Sequence, residues 1–380
     1  MPEIELLLKI YFIVMITISV YFYLMSTINI LSMRAQTQAP SLTNGPLISV
    51  LVPARNEEKN IERCLLSLRN QTYKNYEILV IDDNSTDETW NILQRIEKED
   101  TRVHVFKGDP LPSDWYGKPF ALHQLMKKAK GEYILFTDAD TVHGPTSVSW
   151  VATNFETSRA DFISGYVGQE LRTIGEITTV PIMFFLTGFV IPMFLNHIIK
   201  LGYFSAAVGQ FIAIKHDVYD KTGGFDSFKD KTTEDVYMSR NVKSQGYVTE
   251  FLDITNQVRC RMYEGYSAGI QGIGKNIFDF VGKNHFIIFI IAIAVLLFFI
   301  LPFPLLFILA AVDSPYLLQC GIVNILATIT WLTLFIGRRI NFWGAFLWPV
   351  LYVNLLFMSL WSWFRTVSGK GFVWKGRVVS

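Results

Sequence analysis

Cysteine is the scarcest residue in this chain: Cys64, Cys260 and Cys320 are the only three among 380 residues. An odd number so widely spaced matches neither a disulfide framework nor a zinc spacing, and it suits a reducing compartment for any soluble part. Charge is also sparse. Charged residues make up 18% and the formal net charge is +1, so no global attraction to nucleic acid is expected. Several enzyme signatures are missing. No Gly-x-Gly-x-x-Gly follows the first soluble apolar run and no Gly-x-x-x-x-Gly-Lys-Ser/Thr occurs, which disfavours dinucleotide redox chemistry and P-loop hydrolysis. A Gly-x-Ser-x-Gly nucleophile elbow is absent as well.

Apolar surface is what the chain has in excess. Hydrophobic residues are 51% and the mean hydropathy is +0.30, too high for a wholly soluble protein. Residues 6–31 are almost all apolar, longer than a signal-peptide core and with no clear cleavage site after them. They predict a membrane anchor within 1–33. Glu3 and Glu5 precede it and Arg34 follows, which puts the next domain in the cytoplasm. A polar linker occupies 34–46. A connector at 276–285 leads to three further candidate spans, 286–312, 316–336 and 342–364, the C-terminal transmembrane region being 286–364. Asp313 and the Arg338–Arg339 pair suit loops that lie out, then in. A full third crossing would strand the basic tail, 365–380, on the outside. Either the tail breaks the charge tendency, or the Pro349 segment enters and returns on one side; a cytoplasmic tail is preferred. The stretch 179–199, interrupted by Pro181, Gly188 and Pro192, is expected as one helix in the interface or over the site. The spans lack the charged pairs of an ion pathway, which disfavours a transporter.

Between 47 and 275 the pattern becomes strand–helix alternation. Strands are expected at 47–52, 77–81, 102–106 and just before Asp138, with Ile61, Cys64, Leu65 and Leu68 at helical spacing. Ser85 and Glu88 form a capping-box pattern for a helix through Ile96. Such alternation implies a parallel sheet, whose ligands collect beyond the carboxyl ends of its strands. Pro53–Glu58, Asp82–Asp87 and Asp138–Asp140 all lie at such ends. Asp138 and Asp140 would face the same way if the extended backbone persisted. A hard divalent cation would relieve their repulsion by bridging them to a diphosphate. On this motif alone, a strand ending in a solvated acidic turn fits equally well.

Pro53-Ala-Arg-Asn-Glu57, Ile81-Asp82-Asp83-Asn-Ser-Thr-Asp87, Asp138-Ala-Asp140, Gly223-Gly-Phe and Thr233-Glu234-Asp235, in that order, resemble the family-two glycosyltransferases. Trp115-Tyr-Gly-Lys118, Arg261-Met-Tyr-Glu-Gly and Trp374-Lys-Gly-Arg resemble, more narrowly, the membrane-bound branch that includes carotenoid-acid (diaponeurosporenoate) and hopanoid-associated enzymes. The resemblance implies an α/β GT-A fold, mostly parallel with helices on both faces, plus terminal membrane helices. It implies a nucleotide-sugar site of Pro53, Glu57, Asp82, Asp83, Lys118, Asp138 and Asp140. Glu57 and Asp83 would meet the uridine and Lys118 the diphosphate, while Asp140 with Asp138 would hold Mn2+ or Mg2+. Asp235 would be the general base, with Glu234 a neighbour; without the resemblance, Thr232-x-x-Asp235 is a helix cap. Gln210 and Arg261 would touch acceptor or phosphate, against a buried structural glutamine and a surface salt bridge. Processive polysaccharide synthases carry Gln-x-x-Arg-Trp; here Gln257 is followed by Cys260, Arg261 and Met262, which departs from that pattern.

The expectation is therefore a multi-pass protein of the inner cell membrane with its catalytic domain in the cytoplasm. It would move a sugar, with inversion, from a nucleotide sugar (UDP-hexose) to a lipid acceptor, and bind no nucleic acid. A processive synthase and a non-catalytic nucleotide-sugar-binding protein are the rivals.

Overall fold

The computed structural model describes residues 2–36, 42–196, 198–231, 233–375 and 377–379. The linker expected at 34–46 thus falls partly outside the described residues, as do Thr232 and His197. A long apolar helix, α1 (Pro2–Gln36), comes first. The strands β1 (Ile48–Ala54), β2 (Tyr76–Asp82), β3 (Val103–Lys107) and β4 (Tyr133–Phe136) follow. Between them run α2 (Ile61–Arg69), α3 (Thr89–Glu99) and α4 (Gly117–Met126). Ile61, Cys64, Leu65 and Leu68 are all buried, on the one face that helical spacing brings together. The chain continues through β5 (Thr141–His143), α5 (Ser147–Thr157), β6 (Phe162–Tyr166), β7 (Gly168–Gln169) and α6 (Ile174–Ile177). After an excursion it returns as β8 (Ile212–Lys215), α7 (His216–Lys221), α8 (Glu234–Ser244), β9 (Thr249–Asp253) and β10 (Val258–Cys260).

The main sheet has the order β3-β2-β1-β4-β8-β6-β9. Only β8 is reversed in it, antiparallel to both β4 and β6. This is a GT-A fold with a mixed central sheet. Its two faces are covered by separate apolar clusters, one around Ile61, Leu93 and Trp150 and the other around Leu122, Val218 and Met238. Ala54 stands opposite Asp82 across β1 and β2, and Leu51 opposite both Leu79 and Phe136, so three carboxyl ends share one edge. Because β8 is reversed, its leading residues Gly209 and Gln210 arrive at that same edge, where Ile212 pairs with Phe136.

Two local expectations fail. The Ser85–Glu88 capping box does not form. Instead the Asp87 carboxylate accepts from the Thr89 N–H (3.0 Å) and hydroxyl (2.6 Å) at the start of α3. The Ser85 hydroxyl accepts from the Asn56 N–H at 3.0 Å, so it ties two site loops together rather than starting a helix. Nor is 179–199 one helix. It is a series of short turns, Val180–Phe184, Leu186–Val190 and Met193–Leu195. Ile191 is extended, as the residue before a proline prefers, and Pro192 cannot donate to a continuing helix. Phe184 and Phe189 are buried, so the segment is wedged inside the protein rather than laid across it.

The remaining helices are α9 (Gly265–Phe280), α10 (His285–Ala294), α11 (Pro302–Ala311), α12 (Leu317–Gly337) and α13 (Trp348–Val367). Among the described residues, four stretches are long and apolar enough to cross a membrane: Glu5–Met33, His285–Ala311, Leu317–Gly337 and Phe342–Val367. α1 lies parallel to α12. The Tyr316 hydroxyl donates to the Glu5 carbonyl (3.2 Å) at one end, and Ile30 packs on Gly337 at the other. α10 and α11 run the opposite way along them: the Tyr11 hydroxyl donates to Leu297 O (2.9 Å) and Asn324 Nδ2 to Pro302 O (3.0 Å). α13 is placed differently. Its first residue, Trp348, donates from Nε1 to Thr328 Oγ1 (2.9 Å), midway along α12. Its far end returns to α9 and the start of α10: Ser362 Oγ accepts from the Phe278 N–H (3.1 Å) and Trp363 Nε1 donates to His285 Nδ1 (2.9 Å). A short hairpin, β11 (Phe372–Trp374) and β12 (Arg377–Val379), closes the described chain.

Candidate active site

The shared edge collects the acids that the sequence singles out. β4 stops at Phe136, so a tight turn, not extended backbone, presents Asp138 and Asp140. The Thr141 hydroxyl holds that turn by donating to Asp138 O at 2.7 Å, and Thr137 Oγ1 donates to Gln210 O at 3.0 Å. Ala139 is buried between the two carboxylates, which stay partly open. Asp140 Oδ1 is buried with no hydrogen-bond partner. Burial, then the charges of Asp138 and Glu57, push its carboxyl up to about 7.

Lys118, in the first turn of α4, bridges Asp138 Oδ1 (2.7 Å) and Glu234 Oε1 (3.0 Å). Burial opposes its charge, but the two carboxylates outweigh that and hold the ammonium well above the usual lysine range. Asp235 sits in the first turn of α8, next to Glu234. Its Oδ2 accepts from the Gly209 N–H and its Oδ1 from the Val236 N–H, both at 2.8 Å. Burial and the Glu234 charge raise it to about 7, against the pull of Lys118. Its carboxylate reaches across to the Gly209 amide as well as to the Val236 N–H of its own helix; Thr232, on which the helix-cap alternative turns, lies outside the described residues.

Glu57 is nearly buried, accepts from Asn60 Nδ2 (3.0 Å) and is paired with Lys375 of the C-terminal hairpin. Pro53 stands beside Ile81 at the end of β1, and the Asp83 N–H donates to Ala54 O at 2.7 Å, joining the two loops. Asp82 has another task. Fully buried, it is paired with Lys107 (2.7 Å) and accepts from the Ser85 N–H (3.2 Å), so it braces the loop from below. Gln210 is buried too, donating to Cys260 Sγ (3.1 Å) and accepting from Gln169 Nε2 (3.2 Å), which matches the structural alternative. Arg261 is likewise spoken for: its Nη2 lies 2.8 Å from Glu176 Oε1, which also accepts from the Gly265 N–H at 2.9 Å. Glu176 thereby ties both Arg261 and the start of α9 to α6.

Sequence reasoning missed two cations here. Lys275 projects from α9, where burial lowers it to about 8 while Glu234 and Asp138 pull the other way. Its signal in the sequence is faint, a lone lysine in a glycine-bearing helix. Lys375 was quoted in the tail motif without a role.

The acids suit a divalent cation. Among the described residues, no three His, Cys, Asp or Glu cluster as a self-sufficient metal site. A buried, unpartnered oxygen on Asp140 beside Asp138 is what a small hard cation needs when substrate phosphates supply its other ligands.

Residues 49–223 match the family model described as glycosyl transferase family 2. A UDP-Glc:alpha-D-GlcNAc-diphosphoundecaprenol beta-1,3-glucosyltransferase of Escherichia coli is 35% identical over 116 residues, 30% of this chain and 44% of that protein. A beta-monoglucosyldiacylglycerol synthase of Nostoc sp. is 40% identical over 97 residues, 25% of this chain and 20% of that protein. The match thus spans less than half the length of these relatives. In overall fold the chain is similar to a mannosyltransferase from Pyrobaculum calidifontis, solved in complex with GDP-Man and Mn2+. The TM-score is 0.58 at 18% identity, over 95% of this chain and 99% of that one.

Proposed function

We propose, from the premise that the chain carries a glycosyltransferase family 2 domain over residues 49–223, that it moves one hexose with inversion from a UDP-sugar to a membrane lipid. The observation that carries this is the arrangement of acids around Lys118: Asp138, with Asp140 beyond it, on one side, and Glu234 with Asp235 on the other. The first pair suits the donor's diphosphate and the second the acceptor. Mn2+ or Mg2+, held by Asp140 with Asp138, would act as a Lewis acid toward the departing diphosphate. Lys118 would turn its ammonium to the same phosphates. Asp235 would take the proton of an acceptor hydroxyl as that oxygen bonds to the anomeric carbon, on the face opposite the breaking sugar–phosphate bond. Glu57 and Asp83, beyond β1 and β2, would meet the uracil ring.

A lipid acceptor is supported by what lies near Glu234, the neighbour of Asp235. Lys275 comes from α9, and α9 packs directly on α13, where a Cβ on Gly274 would lie 3.1 Å from the Trp361 ring. The acceptor side therefore abuts helices of membrane-spanning character. A lipid hydroxyl or a lipid carboxylate, as in the carotenoid-acid branch, fits that setting. A single transfer fits better than processive synthesis because Gln257 accepts from the Thr146 hydroxyl (3.0 Å), a loop contact away from the acids.

The helix contacts also support a topology. Three stretches would cross: α1, α10–α11 and α12. The segment from Phe342 through α13 would dip to the depth of Thr328 and return, with Pro349 at its turning point. The catalytic domain and the tail then share one face, and Arg34, Lys283, Arg338 and Arg339 on that face indicate the cytoplasm. Sugar transfer from UDP-glucose or UDP-galactose to lipid extract in detergent, with and without Mn2+, tests the proposal. Tight UDP binding with no turnover across donors and lipids would favour the non-catalytic rival.

A further inference from the structure

The C-terminal hairpin lies at the donor side of the site. Arg365 Nε donates to Gly371 O (2.7 Å) and Phe372 packs edge-on against Trp361 (5.0 Å), so the hairpin is anchored to the end of α13. From there it reaches the β1 loop. Arg55 Nε donates to Lys375 O at 3.0 Å, the Lys375 ammonium is paired with the Glu57 carboxylate, and its charge reaches Asp140. Lys375 follows Trp374, which pairs with Arg377, so it stands at the hairpin's tip. Its φ of 47° is left-handed, a conformation in which a lysine is unfavourable and glycine or asparagine is usual. An unfavourable residue held against a buried acid on a different element points to a role for its side chain.

Charge balance suggests that role. Glu57, Asp138 and Asp140 line the donor side, and Lys118 is already shared between two carboxylates. A diphosphate entering there needs a further cation. We infer that the hairpin is a cap over the donor site and that Lys375 is a donor-binding residue, its ammonium turning from Glu57 to the donor's diphosphate when the nucleotide enters. The inference rests on the donor assignment above. Its ligand chemistry is the phosphate of a nucleoside diphosphate, not the base.

The test is calorimetry on the full chain in detergent, comparing UDP with uridine for the unaltered protein, Lys375→Gln and Lys375→Arg. Lys375→Gln should weaken UDP roughly tenfold or more, the loss of one charge-assisted bond, and leave uridine unchanged. Lys375→Arg should keep most of the UDP affinity. Retained uridine binding shows that the variant is folded and its base pocket intact. In steady state, Lys375→Gln should raise the donor KM and leave the acceptor KM alone. UDP, but not uridine, should slow tryptic cleavage at Lys370 and Lys375. Unchanged UDP affinity in Lys375→Gln would overturn the inference; tighter UDP binding would too, by making the tip a plug. Equal loss for UDP and uridine would reduce Lys375 to a support for Glu57 and also overturn it. If the unaltered protein binds no UDP, the donor assignment itself falls, a result distinct from all of these.

Discussion

Asp235 carries the most chemical weight of any single residue. As a base it must be ionised, and burial with Glu234 beside it raises its carboxyl to about 7. Transfer to a hydroxyl should therefore rise with pH through about 7 and level off above it, seen in the pH profile of kcat/KM. Asp235→Asn should lower that rate by about 10²–10⁴-fold while UDP still binds. With a lipid carboxylate as acceptor there is no proton to remove, so the same variant should lose far less; paired assays on the two acceptor classes check this. The stability effect has the opposite sign. A carboxyl whose pKa is raised in the folded state binds a proton there that the unfolded chain has released, so between about 4 and 7 its contribution falls as pH rises. Asp235→Asn should then melt no lower than the unaltered protein above pH 7, and lose any advantage near pH 4. A variant that melts earlier at high pH, or transfers at the full rate to a hydroxyl, would count against Asp235 as the base.

At the scale of elements, the turn before α8 is the sharpest constraint. Gly223 (φ 82°) and Gly224 (φ 48°) are both left-handed, and a Cβ on Gly224 would lie 2.5 Å from the Tyr219 ring. Gly224→Ala should cost about 2–4 kcal/mol from strain plus overpacking, read as a lower melting temperature. Phe225 packs against Phe136 there, so the turn also sets where Glu234 and Asp235 emerge opposite β4. Strands β1 to β4 were legible because each is a short apolar run ending in a polar loop, and α2 because its buried residues recur at helical spacing. The reversed β8 was not. Ile212–Lys215 is too short for its apolar pattern to reveal direction, which depends on how the long excursion after β7 returns. The break-up of 179–199 was not legible either: its prolines alone do not show that the segment folds as short turns whose phenylalanines enter a core with α1. The acids at the strand ends were legible as a pattern of carboxylates. The pairing of Asp82 was not, because nothing local shows that Lys107, 25 residues on, reaches it from the next strand.

For the whole molecule, the proposed topology puts Ser314 opposite the face that holds the catalytic domain and Ser368. All three natural cysteines are buried, so they add little background to thiol labelling. In intact cells a membrane-impermeant maleimide should modify Ser314→Cys and spare Ser368→Cys; permeabilised cells should show both. Labelling of Ser368→Cys from outside would mean that α13 crosses fully.

The seating of α1 has its own consequence. Asn29 Nδ2 donates to the carbonyls of Thr187 (3.2 Å), Gly188 (3.3 Å) and Ile191 (2.8 Å), and Phe22 stacks on Phe299 at 5.4 Å. A helix held by that many complementary contacts is a keyed component rather than a tether. Supplied in trans as a separate peptide, it should find its socket and restore a chain that begins after the linker, so the gene could be severed there into two cooperating halves.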